Sequence, residues 1–404
     1  MPTTHARILA WMCVLVAVNQ LGFGAMIPTM ALYAQSFGVS ASAIGMAIAA
    51  YGLARFASAI PSGQLSDRLG RRPSLAIGGL ISGVGNLWCA AARSYPEFIA
   101  ARFVAGFGAG LILTTGQVVL ADISTPEWRA RMISIYQGTF LFAVGIGPFP
   151  GGLLAERFGL GAPFIANGVL SLLAMVIAWF AVAETRDLAT NRRRTDAPPS
   201  PPFMEQMRLL NGQIGFVLVS LISLLNAVVR TGGLFALIPL IATTQLGLSV
   251  GSIGFAMMLG GLAGLLVTYP AGWLADRFGR KSVIVPATLI TGVSMLLFCV
   301  ATSYAGFVAA CLVWSVASSV GGSAPTAYAA DSAPPGMNAA AISSYRLTAD
   351  AGYVIGPLGL GLIADSYGPV TAIVTSAVLL AIIGLAFALW APETHRPTTN
   401  PSGS

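Results

Sequence analysis

The sequence predicts an all-α membrane protein, with twelve transmembrane helices in two pseudo-symmetric six-helix bundles. Three observations carry this. The 404 residues are 56% hydrophobic and only 9% charged, against about 25% charged in soluble domains, so water cannot be the solvent for most of the surface. Apolar runs of roughly 20 residues recur from end to end, each long enough to cross about 30 Å of hydrocarbon as a helix. The alternating strands of a membrane barrel dominate nowhere. Finally, PSGQLSDRLGRRP at 61–73 returns as PAGWLADRFGRKS at 270–282. The same offset of 209 residues carries Asp122 onto Asp331, Tyr136 onto Tyr345, Gly147-Pro148 onto Gly356-Pro357 and Glu184-Thr185 onto Glu393-Thr394. A single shared offset marks a duplicated unit, a common construction among membrane transporters.

The first half, 1–183, carries spans at 8–34, 42–64, 74–93, 97–121, 131–155 and 163–183. Its opening MPTTHARILAWMCVLVAV has the basic flank and apolar core of a signal peptide, but the apolar stretch runs past Pro28 and has a second-half counterpart, so it reads as the first span. Residues 184–211, polar, charged and proline-rich, read as a cytosolic linker. The second half, 212–404, carries spans at 212–241, 251–271, 283–301, 306–329, 340–363 and 370–391, then a short cytosolic tail. Glycine and proline, 47 and 24 copies, concentrate within the spans, where small residues let helices approach closely. Gly106 and Gly110, or Gly260, Gly261 and Gly264, read as packing faces.

Most of the 21 basic residues, among them Arg68, Arg71, Arg72, Arg277, Arg280 and Lys281, fall at one set of helix ends. This bias orients the chain with both termini in the cytosol. It is not a patch for nucleic acid. Cys13, Cys89, Cys299 and Cys311 lie inside apolar segments without a CxxC pair, which points to buried free thiols rather than a disulfide or metal framework. No GxSxG, HExxH or P-loop appears, and His5 and His395 sit near the termini, so an enzyme has no candidate machinery. A sensor or scaffold would carry a sizeable soluble domain, for which the chain has no segment. Short loops, a single lysine among the basic residues and no Asn-x-Ser/Thr acceptor favour a bacterial inner membrane.

Between spans 2 and 3 stand Gly63, Leu65, Asp67, Arg68, Gly70, Arg71 and Arg72. Between spans 8 and 9 stand Gly272, Leu274, Asp276, Arg277, Gly279, Arg280 and Lys281. Both resemble the loop signature G-x-L-a-D-r-x-G-r-[KR] of the major facilitator superfamily, and the resemblance covers nearly the whole chain. Gly63 permits a close contact at the end of span 2, Gly70 a tight turn, and Asp67 can face the positive end of a neighbouring helix. In the resembled family this cluster latches the halves on the cytosolic side.

Span 5 carries Gly145-Ile146-Gly147-Pro148-Phe149-Pro150-Gly151-Gly152. It is similar to the G-P-x-x-G-G signature of exporters among drug:proton antiporters, although the glycine expected four residues before Gly147 is Ala143. Proline removes a helix hydrogen bond and the glycines thin the surface, so Gly147, Pro148, Gly151 and Gly152 read as a hinge or outer seal. Span 4 carries RFVAGFGAG from Arg102, similar to the family's R-x-x-q-G-x-G-a element, whose arginine is linked to proton transfer. Ala105 replaces the usual glutamine, and snorkelling of Arg102 to the outer interface is the alternative.

Of fourteen acids only Asp350 lies well inside a span. Arg55, Arg230 and Arg346 are the deep cations, and an ionised group at bilayer depth costs at least about 2.5–3.5 kcal/mol, so these face a cavity or a partner. Arg346 and Asp350, four residues apart, share one helix face. Burial favours the neutral acid and an arginine favours the carboxylate. If Arg346 or Arg230 swings away, Asp350 can carry a proton; the alternative is a permanent ion pair. The expected cavity draws Asn19, Gln20, Tyr51, Arg55 and Gln117 from the first four spans, and Tyr136 and Gln137 from the fifth. From the second half come Asn226, Arg230, Trp314, Tyr345, Arg346 and Tyr353. Its surplus of two positive charges disfavours a simple lipophilic cation and admits an anion or zwitterion.

The expectation is therefore a monomeric proton-driven antiporter exporting a small organic or amphipathic compound, with the proton gradient as energy source and neither cofactor nor metal. Proton-coupled import of an organic anion is the alternative.

Overall fold

The computed structural model describes residues 3–124, 128–186, 203–333 and 337–394, and every regular element among them is a helix. The first half holds α1 (Thr3–Gln35), α2 (Ala41–Leu69), α3 (Arg71–Ala91), α4 (Tyr95–Ile123), α5 (Arg129–Ile146), α6 (Pro148–Phe158) and α7 (Ala162–Phe180). After α8 (Phe203–Asn211), the second half begins with α9 (Ile214–Val228), α10 (Val229–Leu237) and α11 (Ile238–Leu246). It continues with α12 (Val250–Phe278), α13 (Arg280–Val300), α14 (Tyr304–Asp331), α15 (Asn338–Tyr367) and α16 (Pro369–Trp390). Twelve stretches are long and apolar enough to cross a membrane, α5–α6 making the fifth and α9–α11 the seventh.

Three features depart from the sequence reading. Residues 187–202 of the expected linker lie outside the described residues, but its last nine form helix α8. Span 5 is divided at Gly147, with Pro148 at the first position of α6, where its missing N–H costs nothing. Span 7 widens into a π-helix over α10, and Ile238 N–H reaches back five residues to Gly233 O. Pro239 has no N–H to give the Phe235 carbonyl an α-helical bond, which favours the wider turn just before it.

The halves repeat each other at the 209-residue offset. Ser40 and Ser249 cap α2 and α12, and Ser94 and Ser303 cap α4 and α14. Each cap supplies an acceptor to an orphan N–H of the first turn. Tyr95 Oη donates to Ala43 O and Tyr304 Oη to Ser252 O. The tight turns before α3 and α13 have φ 101° at Gly70 and 98° at Gly279, which a side chain would strain.

The halves meet along α2 with α15 and along α5–α6 with α12. At the end away from the termini (the far end) their backbones touch. A Cβ on Gly45 would collide with Pro357 O, and one on Gly152 would lie 2.5 Å from Val250 O. Two carboxylates cross the boundary there. Asp365 of α15 accepts from Ala41 N at 2.7 Å and Ser42 N at 3.1 Å, at the start of α2. Glu156 of α6 accepts from Gly251 N at 2.9 Å, at the start of α12. Glu156 and Asp365 are offset equivalents, as are Ser42 and Gly251, so the far-end closure is itself duplicated.

Contact stops toward the opposite, basic end. A Cβ on Gly63 of α2, Gly138 of α5 or Gly272 of α12 meets nothing within 4 Å among the described residues. The close contact expected at Gly63 is thus absent, because the basic ends of the two halves stand apart. The molecule is a wedge, closed at the far end and open at the basic end.

Candidate functional site

Arg55, near the middle of α2, and Asp350, near the middle of α15, face each other across the boundary between the halves. Arg55 Nη2 donates to Asp350 Oδ1 at 3.0 Å, and the Arg55 guanidinium lies 5.1 Å from the centre of the Tyr353 ring. Gly52 makes room for that ring one turn before Arg55. The two charged side chains are 28% and 42% exposed: they sit at mid-depth yet reach solvent. Asp350 Oδ2 has no hydrogen bond among the described residues.

This corrects the pairing read from spacing. Arg346 shares a helix with Asp350, but it is exposed and makes no ion pair among the described residues. The facing helix, held close by Gly52 against Tyr353, delivers Arg55 instead.

Arg230 rides on the π-helical α10. It is exposed, and it lies within electrostatic reach of Arg55, Tyr345, Asp350 and Tyr353. It borders a cavity of about 200 Å³ between the halves, walled by Ile27 and Val144 from the first and by Met257, Thr268, Trp314 and Ser315 from the second. Among the described residues Arg230 makes no ion pair or hydrogen bond. The Trp314 indole is 7% exposed, and its N–H has no acceptor among the described residues. Among the same residues the buried Tyr353 hydroxyl is also without a partner. A second cavity of about 720 Å³, between α12, α13 and α14, is lined by apolar side chains and Ser282. It holds no ionisable group to couple to.

The structure thus brings together Arg55, Arg230, Trp314, Tyr345, Asp350 and Tyr353. Others from the sequence lie elsewhere. Asn19 and Gln20 are buried against each other, Gln20 Nε2 donating to Asn19 Oδ1 at 3.4 Å. Tyr51 is buried, stacked on Phe23 and covered by Arg102, and it lies within electrostatic reach of Arg55 and Tyr353 at the edge of this group. Tyr136 is buried beside Gly116, whereas Gln117 and Gln137 are exposed. Asn226 Nδ2 bonds back to Ile222 O at 3.0 Å. Sequence reasoning did not single out Thr268, Met257, Ser315, Ser318 or Ser319, which also line the cavity. The three serines share one face of α14 by their spacing, and that was the available signal.

Arg102 does not snorkel. It is fully buried; Nε donates to Ala47 O at 3.3 Å, Nη2 contacts the Met30 sulfur, and the guanidinium lies 4.4 Å from the Tyr51 ring centre. Its contacts tie α4 to α1 and α2.

At the basic end the two loop signatures fold alike. Arg71 bonds Asp122 at 2.8 Å and Asp67 at 3.1 Å, and Glu184 accepts from the backbone N–H groups of Arg71 and Arg72. Arg280 repeats this with Asp331 and Asp276, and Glu393 with the N–H groups of Arg280 and Lys281. Arg68 and Arg277 differ: the Arg68 carbonyl accepts from Arg186, while the Arg277 guanidinium covers Trp273. These bonds all lie within one half. In the fifth span, Gly147 and Gly151 press against Gly24 and Ala25 of α1, and Pro148 O borders Gly254 of the other half. The segment therefore seals the far end.

The Major Facilitator Superfamily model matches residues 12–229 and 219–404. An uncharacterised MFS-type transporter of Methanocaldococcus jannaschii is 26% identical over 367 residues, covering 91% of this chain and 94% of its own. Multidrug resistance protein MdtL of Shewanella sp. (strain ANA-3) is 23% identical over 66% of this chain and 65% of its own. Quinolone resistance protein NorA of Staphylococcus aureus is 25% identical over 42% and 44%. The chain therefore spans under two thirds of MdtL and under half of NorA. Among solved structures, a bacterial homologue of the human lysosomal transporter Spinster, inward-facing and unoccupied, superposes with TM-score 0.77 at 16% identity, covering 96% of this chain and 97% of its own. The nucleoside transporter NupG gives 0.78 at 13%, covering 94% and 99%. These structural likenesses speak to the fold, and they agree with the family model: matched once in each half, the chain belongs to the Major Facilitator Superfamily and is a membrane transporter.

Proposed function

We propose that the protein is a proton-coupled antiporter that exports a small amphipathic organic compound by alternating access. The observation that carries this is the Arg55–Asp350 pair. It bridges the halves where their contact stops, at mid-depth, and both side chains reach solvent. With the basic end in the cytosol, a proton from that side has access to Asp350. Protonation removes the charge holding Arg55 and loosens the bridge. A positive group on the cargo competes with the proton for the same carboxylate, and such exclusive occupancy is what antiport needs. One chain holds both halves and the cavity, so a monomer in the cytoplasmic membrane suffices. The proton gradient supplies the energy. The efflux-type names of MdtL and NorA support the outward direction.

Everted vesicles with an imposed pH gradient test this, supplied from outside with a panel of fluorescent amphipathic compounds that carry a basic nitrogen, zwitterions among them. Native protein accumulates substrate in response to the gradient. Asp350→Asn abolishes gradient-driven accumulation while the protein stays folded; unchanged accumulation by that variant removes the coupling role. Import of an organic anion together with protons is the second reading, favoured by Arg230 and Arg346 having no acid among the described residues. Uptake into right-side-out vesicles would reveal it.

A further inference from the structure

The cavity beside Arg230 is lined by donors that lack acceptors. The indole N–H of Trp314 can only donate; it is buried and has no acceptor among the described residues. Arg230 offers five donors in a planar fork, with no acid and no hydrogen bond among the described residues. Leaving a buried donor unmade is costly, and the exposed Arg230 guanidinium offers a counter-charge at bilayer depth to an anion that enters the cavity. Around these two groups the walls are mainly apolar and aromatic, with the hydroxyls of Thr268, Ser315, Ser318 and Ser319 among them. About 200 Å³ exceeds the roughly 30 Å³ of a single water several-fold. The missing partner is thus an acceptor-rich anionic group attached to an apolar body.

An anion alone does not give antiport. Placed near Asp350, which lies within electrostatic reach of Arg230, it favours the protonated acid, so anion and proton would bind together. A cargo that drives the proton off must also bring a positive charge to Asp350, whose Oδ2 has no hydrogen bond among the described residues. We infer that the cargo is an amphipathic zwitterion. Its acid group docks on Arg230 and the Trp314 N–H, its basic nitrogen goes to Asp350, and its apolar body lies against Met257 and Val144. The acid half of the inference stands on the cavity alone; the basic half rests on the antiport reading.

Three probes with one body test this on the purified full-length protein: 4-phenylphenylalanine, its methyl ester and its N-acetyl derivative. They are zwitterion, cation and anion respectively. Affinity is read by calorimetry or thermal shift at a mildly acidic pH. The zwitterion binds at least tenfold tighter than either analogue. Arg230→Gln and Trp314→Phe weaken the zwitterion and the N-acetyl acid, Arg230→Gln by tenfold or more, and the ester still binds, in Arg230→Gln at least as tightly as to native protein because a like charge is gone. The ester thereby reports that each variant is folded. Lowering the pH weakens the ester and the zwitterion but not the N-acetyl acid. An ester that binds native protein as tightly as the zwitterion overturns the acid dock, as does an equal loss for all three probes in Arg230→Gln. An N-acetyl acid as tight as the zwitterion overturns the role of Asp350. These are binding measurements, so they are separate from the vesicle assay. Probes that bind as stated without gradient-driven transport would end the antiport reading and leave the docking intact.

Discussion

Asp350 and Asp122 each hold an arginine, yet water reaches mainly the first, and that difference separates the proposed site from a strut. Arg71 and Asp122 have 4% and 7% of their side chains exposed. Thr185 Oγ1 adds a bond to Asp122 and Ser66 O accepts from Arg71, so every charge is matched. Breaking such a buried pair strands the remaining ion and costs about 3–5 kcal/mol. In the second copy the same residues are open, Arg280 at 17% and Asp331 at 39%, and an exposed pair is worth about 1 kcal/mol or less. Arg71→Gln is therefore expected to lower the unfolding temperature in detergent markedly, and Arg280→Gln only slightly. Equal losses would show that burial does not set the worth of these pairs. The sequence made the two copies look equivalent, because sealing depends on how the segment around Thr185 closes over Asp122. The equivalent Thr394 hydroxyl has no partner among the described residues. Asp350 was legible as the sole acid deep in a span. Its partner was not, since spacing along one helix says nothing about what a facing helix delivers.

Element by element, the spans were legible because apolar runs and charged breaks set their length, and the π-helical turn at Arg230 was not. Pro239 is compatible with a kink, a break or a widened turn; neighbouring packing chooses among them. The far-end carboxylates also escaped notice, lying near helix ends where acids attract no attention. Their contacts are charge-assisted bonds to the exposed N–H groups of α2 and α12, where the helix dipole favours negative charge. Neutralising each costs about 1 kcal/mol. The double variant Glu156→Gln, Asp365→Asn thus loses about 2 kcal/mol from the far-end closure, roughly a thirtyfold shift toward opening there. Ser40 and Ser249 still cap their helices, so helix content stays unchanged. Spin-label distances across the far end should move toward a longer population. A distribution identical to the native one would show that glycine packing alone holds that end shut.

In the whole molecule the duplication was legible and the state adopted was not, because on the alternating-access reading a repeated sequence has to serve two closures at once. At the far end Asp365 of α15 caps α2 and Glu156 of α6 caps α12. At the basic end α2 stops at Gly70 and α12 at Gly279, with Asp67 and Asp276 in the last turns of the same two helices. Rocking about the central Arg55–Asp350 bridge would open one end as it closes the other. Closure at the basic end must then bring Gly63 and Gly272 against the other half, as Gly45 and Gly152 are held now at the far end. In the present state both basic-end glycines have open space, and replacing a helical glycine gains up to about 1 kcal/mol in propensity. The double variant Gly63→Phe, Gly272→Phe should therefore keep or slightly raise the unfolding temperature and bind cargo from the basic end as the native protein does. Transport should fall to background, because the added rings occupy the space that closure needs. Native transport rates in that variant would mean that the basic ends never meet at these glycines and that the halves move in some other way.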